Sequence, residues 1–561
     1  MKVSVITVSF NAVSCIERTI KSVISQRYND FEYIIVDGQS NDGTIEIIQK
    51  YHAYISKWIS EPDRGIYNAM NKAVRICSGE YCIFMNAGDM FVNPLVLKQV
   101  SLFLDDGFDV LTGCEISTKN GKIVDYVKPP QKATLKHFFV TSISHQASFI
   151  KRSLLLEYPY DEHLKLVSDW KFWLQTLVLD GKSYRSIDVD VCVFNHDGMT
   201  YAFSDIGNME RKEVLMSLLP KDVYEEYVKR YSGFWFAKKR RYYGKLQRIL
   251  HIEELKNKLK IAKSYVDVLG FYGFIVVILK IFKSGGGGGK LGQSVITRYL
   301  QKHYGHIVWR NEMASDVPHA FMKKFPIWVC WWQGEKMMPL VPKLCLSSLR
   351  SNLRDGQELH LITKENYTDF VDIPEYVIRK MEQGMLSVTA FSDILRFTLL
   401  TRYGGLWVDA TCYVAALLPD LSNTDFYTSK QDKPNDYRYV SRYRWASYLI
   451  GGKPGHKIFL NMRDLFFAYI WREKSPVSYF LLDYLLDLIC RESDECNHAI
   501  ESFPYTEMHV LESVEDMDKP FNEVKPLAEG IFHKLSWKRC FRPYTDDMSR
   551  MSLFGYIIDK L

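Results

Sequence analysis

The chain has 561 residues and eleven cysteines, but no paired cysteine spacing. Cys77 and Cys82 are too irregular for a zinc ribbon, and no second pair follows. Neither a disulfide framework nor a structural zinc site is expected; the cysteines read as small buried residues in a reducing compartment. There is little net charge either. A balance of +6 is too mild to indicate a nucleic-acid partner. No apolar run reaches the roughly 20 residues that a membrane-spanning helix requires. Met1-Lys2-Val3-Ser4-Val5-Ile6-Thr7-Val8 lacks the apolar stretch and cleavage site of a signal peptide. It reads as a first β-strand, and a cytoplasmic protein is expected.

What is present is ordinary globular material: 47% hydrophobic, 25% charged. Aromatic residues make up 14%, which suits ring-stacking sites as well as core packing. Val3–Val8, Phe31–Val36 and Tyr81–Met85 predict buried strands, and Ile16–Ser25 and Thr44–His52 predict helices between them. This alternation predicts a parallel, doubly wound α/β sheet whose ligands bind beyond the carboxyl ends of the strands. Asp37 and Asp89 lie at such ends. A second αβ pattern starts at Phe325–Trp332 and continues through Glu358–Ile362, a helix over Ala390–Tyr403, and a strand over Leu406–Val408 that Asp409 terminates. The two halves share no residue-by-residue similarity, so an internal duplication is excluded.

Residues 234–284 differ in character. Lys238-Lys239-Arg240-Arg241 opens a basic stretch, and Val268–Leu279 is a short aromatic-rich apolar run closed by Lys280 and Lys283. A basic flank beside such a run fits a membrane surface; the alternative is a core helix. Gly285–Gly289 is a flexible junction. The expected division is therefore 1–233, a helical segment 234–284, a linker 285–289, and 290–561.

Three segments of the first half carry chemistry. Asp37-Gly38-Gln39-Ser40-Asn41-Asp42-Gly43-Thr44 is a strand end, a turn and a helix start, with Asp37 able to accept hydrogen bonds from a base or ribose. In Glu61–Lys72, Asp63 and Arg64 can meet ribose and phosphate. Asn86-Ala87-Gly88-Asp89 closes a buried strand in a carboxylate. In the second half Asp393 and Arg396, three apart on a helix, share a face aimed toward Asp409.

With Thr7-Val8-Ser9-Phe10-Asn11 and Ser168-Asp169-Trp170, the first-half segments resemble the family 2 glycosyltransferases over about residues 1–210. The resemblance implies a nucleotide-diphosphate-sugar-binding fold of the GT-A type and inversion at the anomeric carbon. It places Thr7, Asn11, Asp37 and Asp63 on the donor, Asp89 on a divalent metal (Mn or Mg), and Asp169 as general base. Asn86 stands where many members carry a second acid; His196 is a further candidate ligand. His145-Gln146 matches a recurrent pair near the acceptor.

Ile327-Trp328, Trp331-Trp332-Gln333-Gly334, Phe391–Arg396, Tyr403–Thr411 and His533-Lys534-Leu535-Ser536-Trp537-Lys538 resemble the family 32 glycosyltransferases, closest to their capsular-polysaccharide branch. This implies a second GT-A domain, with retention. Trp331 or Trp332 would lie on the base, Asp393 and Arg396 on the donor sugar, Asp409 on the metal, and Ser536 and Trp537 by the diphosphate. Thr411 replaces a second Asp common in the wider family. Together these resemblances imply a bifunctional enzyme. It would add two sugars, from UDP-sugars foremost, to a lipid-linked glycan at the inner face of the cytoplasmic membrane. The alternatives are one active half with the other a binding module, a scaffold, or a nucleotidyltransferase; the last would show a glycine-rich phosphate loop near the first strand, which Thr7–Asn11 lacks.

Overall fold

A computed structural model describes residues 2–119, 122–195, 204–231, 263, 265–269, 273, 289–312, 322–430, 439–504, 514–524, 531–545 and 550–561. The chain forms two compact units. One takes Met1–Arg241, Glu515–Lys525 and Lys538–Leu561; the other takes Tyr242–Val514 and Pro526–Trp537.

The first unit is built on a 9-stranded mixed sheet: β1 (Val3–Ser9), β2 (Phe31–Asp37), β3 (Lys57–Ser60), β4 (Tyr81–Phe84), β5 (Met90–Phe91), β6 (Val110–Lys119), β7 (Lys122–Val127), β8 (Ser148–Lys151) and β9 (Tyr184–Asn195). The order is β3-β2-β1-β4-β8-β6-β9-β5, with β7 on β6. β1 pairs in parallel with β2 and β4, and β2 with β3. Every residue of β1 is buried, as its Val- and Ile-rich run fits for a central parallel strand. The helix Ile16–Ile24 packs Ile16, Thr19, Ile20 and Val23 inward, a stripe at helical spacing. Beyond β4 the expectation of parallel pairing gives way: β8 is antiparallel to both β4 and β6. Asp37 and Asp89 lie where the sequence places them, at and just beyond the carboxyl ends of β2 and β4.

The second unit holds a five-stranded sheet: β10 (Phe325–Cys330), β11 (Gln357–Ile362), β12 (Gly405–Val408), β14 (Phe426–Thr428) and β15 (Leu449–Gly452), in the order β11-β10-β12-β15-β14. A separate pair joins β13 (Cys412–Val414) to β16 (Phe532–Lys534). β12 runs parallel to β10 and antiparallel to β15. A Cβ on Gly405 would stand 2.3 Å from the Pro326 carbonyl oxygen, and φ there is +96°. Only glycine lets β12 enter beside β10 and deliver Asp409.

The units divide the chain differently from the expected boundaries. Lys538–Leu561 belongs with the first unit, where Arg27 pairs with Asp559 at 2.7 Å. From the apolar run, Val268 and Leu269 are buried in the second unit's core with Leu300 and Leu485, so these two residues follow the core alternative. Lys238–Arg241, Phe271, Phe274, Lys280, Lys283, His196 and Gly285–Gly288 lie outside the described residues. Among the described residues no helix is long and apolar enough to cross a membrane.

Candidate functional sites

Asp37 is 0% exposed. Its carboxylate accepts from Ser9 Oγ (2.9 Å), Ser40 N (2.8 Å), Ser40 Oγ (2.6 Å) and Ser60 Oγ (2.8 Å). Four donors saturate a carboxylate, so Asp37 fixes the turn and the Ser60 strand end. Ser40 Oγ in turn accepts from Asn11 N at 2.8 Å, and Asn11 Oδ1 accepts from Asn41 N at 3.1 Å. Asn11 and Gln39 adopt left-handed φ values of 47° and 63°, and Phe10 is left 65% exposed at the tip of β1. Asp63 is pinned against this turn, since a Cβ on Gly38 would meet its Oδ2 at 2.5 Å. Asp63 Oδ1 accepts from Gly65 N at 2.8 Å.

Thr7 departs from expectation. It is fully buried, and its hydroxyl donates to the Met85 carbonyl (2.7 Å) beside Tyr33 Oη (3.0 Å). It ties the sheet together.

Asp89 is 7% exposed. Its turn is held by Thr19, whose Oγ1 donates to the Asp89 carbonyl (2.8 Å) and accepts from Gly88 N (2.9 Å). Burial, reinforced by the Glu115 carboxylate, pushes the Asp89 carboxyl well above the usual carboxylate range. Asn86 Oδ1 is buried without a hydrogen-bond partner. The Asp89 carboxylate and the unpartnered Asn86 Oδ1 of the same turn are oxygen donors, the kind that suit a hard divalent ion. Among the described residues no three His, Cys, Asp or Glu cluster as a metal cage; the remaining ligands would be phosphate and water. Glu115 was not legible in the sequence, because nothing in the strand pattern of β6 marks it.

Asp169 lies in the first turn of the helix Ser168–Trp173. The loop before it is held by Glu210, which accepts from Lys165 N (2.7 Å) and Leu166 N (3.0 Å). Tyr67 Oη donates to Asp169 Oδ1 at 3.0 Å; no hydrogen bond to Oδ2 occurs among the described residues. His145 is buried, with Nε2 2.7 Å from Tyr160 Oη, and burial lowers its pKa. Gln146 faces Asp89. Beside Ser168 opens a cavity of about 700 Å³ lined by Arg64, Asn71, Arg75, Tyr160, Glu162, Lys171 and Phe172, among others. Asn71 locks one wall, exchanging hydrogen bonds with the Tyr160 backbone at 2.8 and 3.0 Å.

In the second unit the structure brings Asp393, Arg396 and Asp409 together. Arg396 Nη2 lies 3.2 Å from Asp393 Oδ1 and 3.1 Å from Asp409 Oδ1. Trp407 Nε1 donates to Asp409 Oδ1 at 2.8 Å, and Lys534 Nζ donates to Oδ2 at 2.9 Å. The two cations overcome the cost of burial and hold the Asp409 carboxyl down at about 2. Burial raises Asp393 to about 7 and Asp483 to about 6. Lys534 also lines a cavity of about 300 Å³ with Tyr443, Trp445, Tyr448, Phe480 and Asp483.

Trp331 meets Trp537 edge-on, with centroids 6.0 Å apart, and Trp537 is 47% exposed. Trp332 packs on Tyr367 and Phe391. Ser536 is half-buried, two residues past Lys534. Lys534 lies inside the closing motif, where the resemblance points instead to Ser536 and Trp537 for the diphosphate.

The comparisons give the class, the sugar-transferring enzymes. Residues 4–151 match glycosyl transferase family 2, and residues 282–552 match the capsular polysaccharide synthesis protein family. The chain belongs to the glycosyltransferases, with family 2 in its N-terminal part and the capsular synthesis family in its C-terminal part. A glycosyltransferase of Mycobacterium tuberculosis named as uncharacterized is 32% identical over 212 residues, covering 35% of this chain and 76% of its own length. A PGL/p-HBAD biosynthesis glycosyltransferase of Mycobacterium bovis is 25% identical over 205 residues, covering 35% and 77%. Among solved structures, S. aureus TarS aligns at 21% identity and TM-score 0.35, covering 43% of this chain and 44% of TarS. Its residues 1–349 in complex with UDP-GlcNAc align at 21% identity and TM-score 0.35, covering 50% and 88%.

Proposed function

We propose that the chain is a bifunctional glycosyltransferase. It adds two sugars from nucleotide-diphosphate donors, UDP-sugars foremost, to a growing lipid-linked bacterial surface glycan. The observation that supports this reading is the pair of carboxylate sites, Asp89 beyond β4 and Asp409 at the end of β12, each on its own sheet, with the Lys534 partner of Asp409 lining a cavity. The second unit is read as a GT-A-like domain on the same grounds.

In the first unit the Ser40–Asn11 turn and Asp63 hold the nucleoside, with Phe10 available to stack on the base. Asp37 acts through the serines it fixes. Asp89 and Asn86 Oδ1 would hold a divalent ion, which supplies charge stabilisation to the departing diphosphate. Asp169 Oδ2 takes the proton of the acceptor hydroxyl, while Tyr67 keeps Oδ1 oriented. The cavity beside Ser168, with mixed charge and aromatic walls, receives the acceptor sugar. Attack from that side, opposite the leaving group, inverts the anomeric centre.

In the second unit Trp537 and Trp331 flank the base, and Asp393 and Arg396 order the sugar end of the site. The product there retains its configuration. Attachment to the inner face of the membrane would rest on Lys238–Arg241, not on Val268 or Leu269.

The test uses lipid-linked acceptor and a panel of nucleotide sugars with the full chain, Asp169→Asn and Asp409→Asn. Mass spectrometry should find two additions with the full chain, none or only the second-site sugar with Asp169→Asn, and one with Asp409→Asn. NMR should find opposite stereochemical outcomes at the two linkages. Both variants blocking the same single transfer, and nothing else, would sink the two-site reading.

A further inference from the structure

Asp409 occupies the position expected of a metal ligand, yet both its oxygens are already held by cations: Oδ1 by Arg396 and Oδ2 by Lys534. Lys534 also donates to Thr411 Oγ1 at 2.6 Å, the residue standing where a second acid would be. A divalent ion on Asp409 would have to displace an ammonium and then sit against it with like charge. The donor set therefore does not fit a metal in this arrangement, in contrast with Asp89.

The charges suggest what replaces it. One carboxylate with a divalent ion carries a net +1. Asp409 with Arg396 and Lys534 also carries a net +1, before Asp393, 3.2 Å from Arg396, is counted. Arg396 is 4% exposed and its guanidinium lies over the Trp407 ring at 4.8 Å, so it is fixed inside the fold. Lys534 is different, because it lines the cavity, and among the described residues no other Lys or Arg does so. Its backbone is set by β16 pairing on β13, with Lys534 opposite Cys412.

We propose that the second site works without a divalent ion. The Lys534 ammonium receives the charge of the departing diphosphate, Asp409 and Thr411 aim it, and Arg396 is the built-in counter-ion of Asp409. Lys534 is thus a catalytic residue, and Arg396 and Asp409 are positioning residues. This rests on the reading of the second unit as a nucleotide-sugar site.

The experiment counts Mn²⁺ bound to the full chain by electron paramagnetic resonance in saturating UDP and, separately, GDP. Calorimetry then measures nucleotide binding to Asp89→Asn in EDTA. Wild type should bind one Mn²⁺ per chain, Asp409→Asn still one, and Asp89→Asn none. In EDTA, Asp89→Asn should keep one nucleotide site. Adding Lys534→Met should weaken it at least tenfold, and Lys534→Arg should restore part of the loss. Two Mn²⁺ per wild-type chain, or nucleotide binding by Asp89→Asn only when Mn²⁺ is supplied, overturns the metal-free site and leaves the nucleotide-sugar reading intact. No binding of either nucleotide by Asp89→Asn, with or without Mn²⁺, overturns both.

Discussion

Asp409→Asn should unfold the second unit more easily, although it changes one atom. The carboxylate accepts from Arg396, Trp407 and Lys534, and two of these are charged. With the charge removed, Arg396 is left inside the fold with Asp393 as its ion-pair partner, and Lys534 keeps Thr411. Removing one member of a buried ion pair costs about 3–5 kcal/mol. An amide oxygen still accepts one bond, so the lower end, about 3 kcal/mol, is expected. For a unit of this size that lowers Tm by roughly 6–12 °C. The pH dependence fixes the cause. Asp409 titrates near 2 in the folded state, below the ordinary value of about 3.9. Its stabilisation is therefore complete above pH about 4 and lost as pH falls toward 2. Calorimetric scans of both proteins from pH 2 to 7 should show the difference in Tm shrinking over that window. A variant as stable as wild type at pH 7, or a difference that does not change with acid, would refute the ion-pair reasoning.

The same isosteric change at Asp89 should have the opposite sign. Its raised pKa penalises the folded state increasingly as pH rises above about 4, so Asp89→Asn should be more stable than wild type at pH 7 without metal, checked by thermal melts, while first-site transfer falls at least about a hundredfold. Asp169→Asn should slow first-site transfer by roughly a hundred- to ten-thousandfold with donor affinity unchanged; calorimetry showing lost donor binding would make Asp169 a donor ligand. Asp393 and Asp483, raised to about 7 and about 6 by burial, add negative charge near Lys534 as pH rises. UDP affinity at the second site should fall between pH 6 and 8, and Asp393→Asn should flatten that profile. Gly405→Ala should misplace β12 and abolish second-site transfer, whereas Gly356→Ala, with nothing within 4 Å of its Cβ, should cost only the strain of its positive φ.

The parallel edge of the first sheet was legible because β1, β2 and β4 are mainly apolar runs with helices between them. The antiparallel remainder was not, because β5 and β8 are short and β6 mixes polar with apolar positions. Strand-end acids were readable from local context alone, as at Asp37, Asp89 and Asp409. Their partners were not. Glu115 reaches Asp89, and Lys534 reaches Asp409 across 125 positions of chain, and no local periodicity encodes such a meeting. Thr7 shows the converse: a polar residue in a site-like motif whose hydroxyl serves the sheet. The placement of Lys538–Leu561 in the first unit was equally invisible, since tertiary packing decides it.

The most direct test of two transfer sites on one chain is the mass of the lipid-linked product formed by each single-site variant. Wild type should add two sugars in sequence, and Asp409→Asn should stop after the first. A product of Asp409→Asn carrying both sugars, or none, would contradict two separate sites.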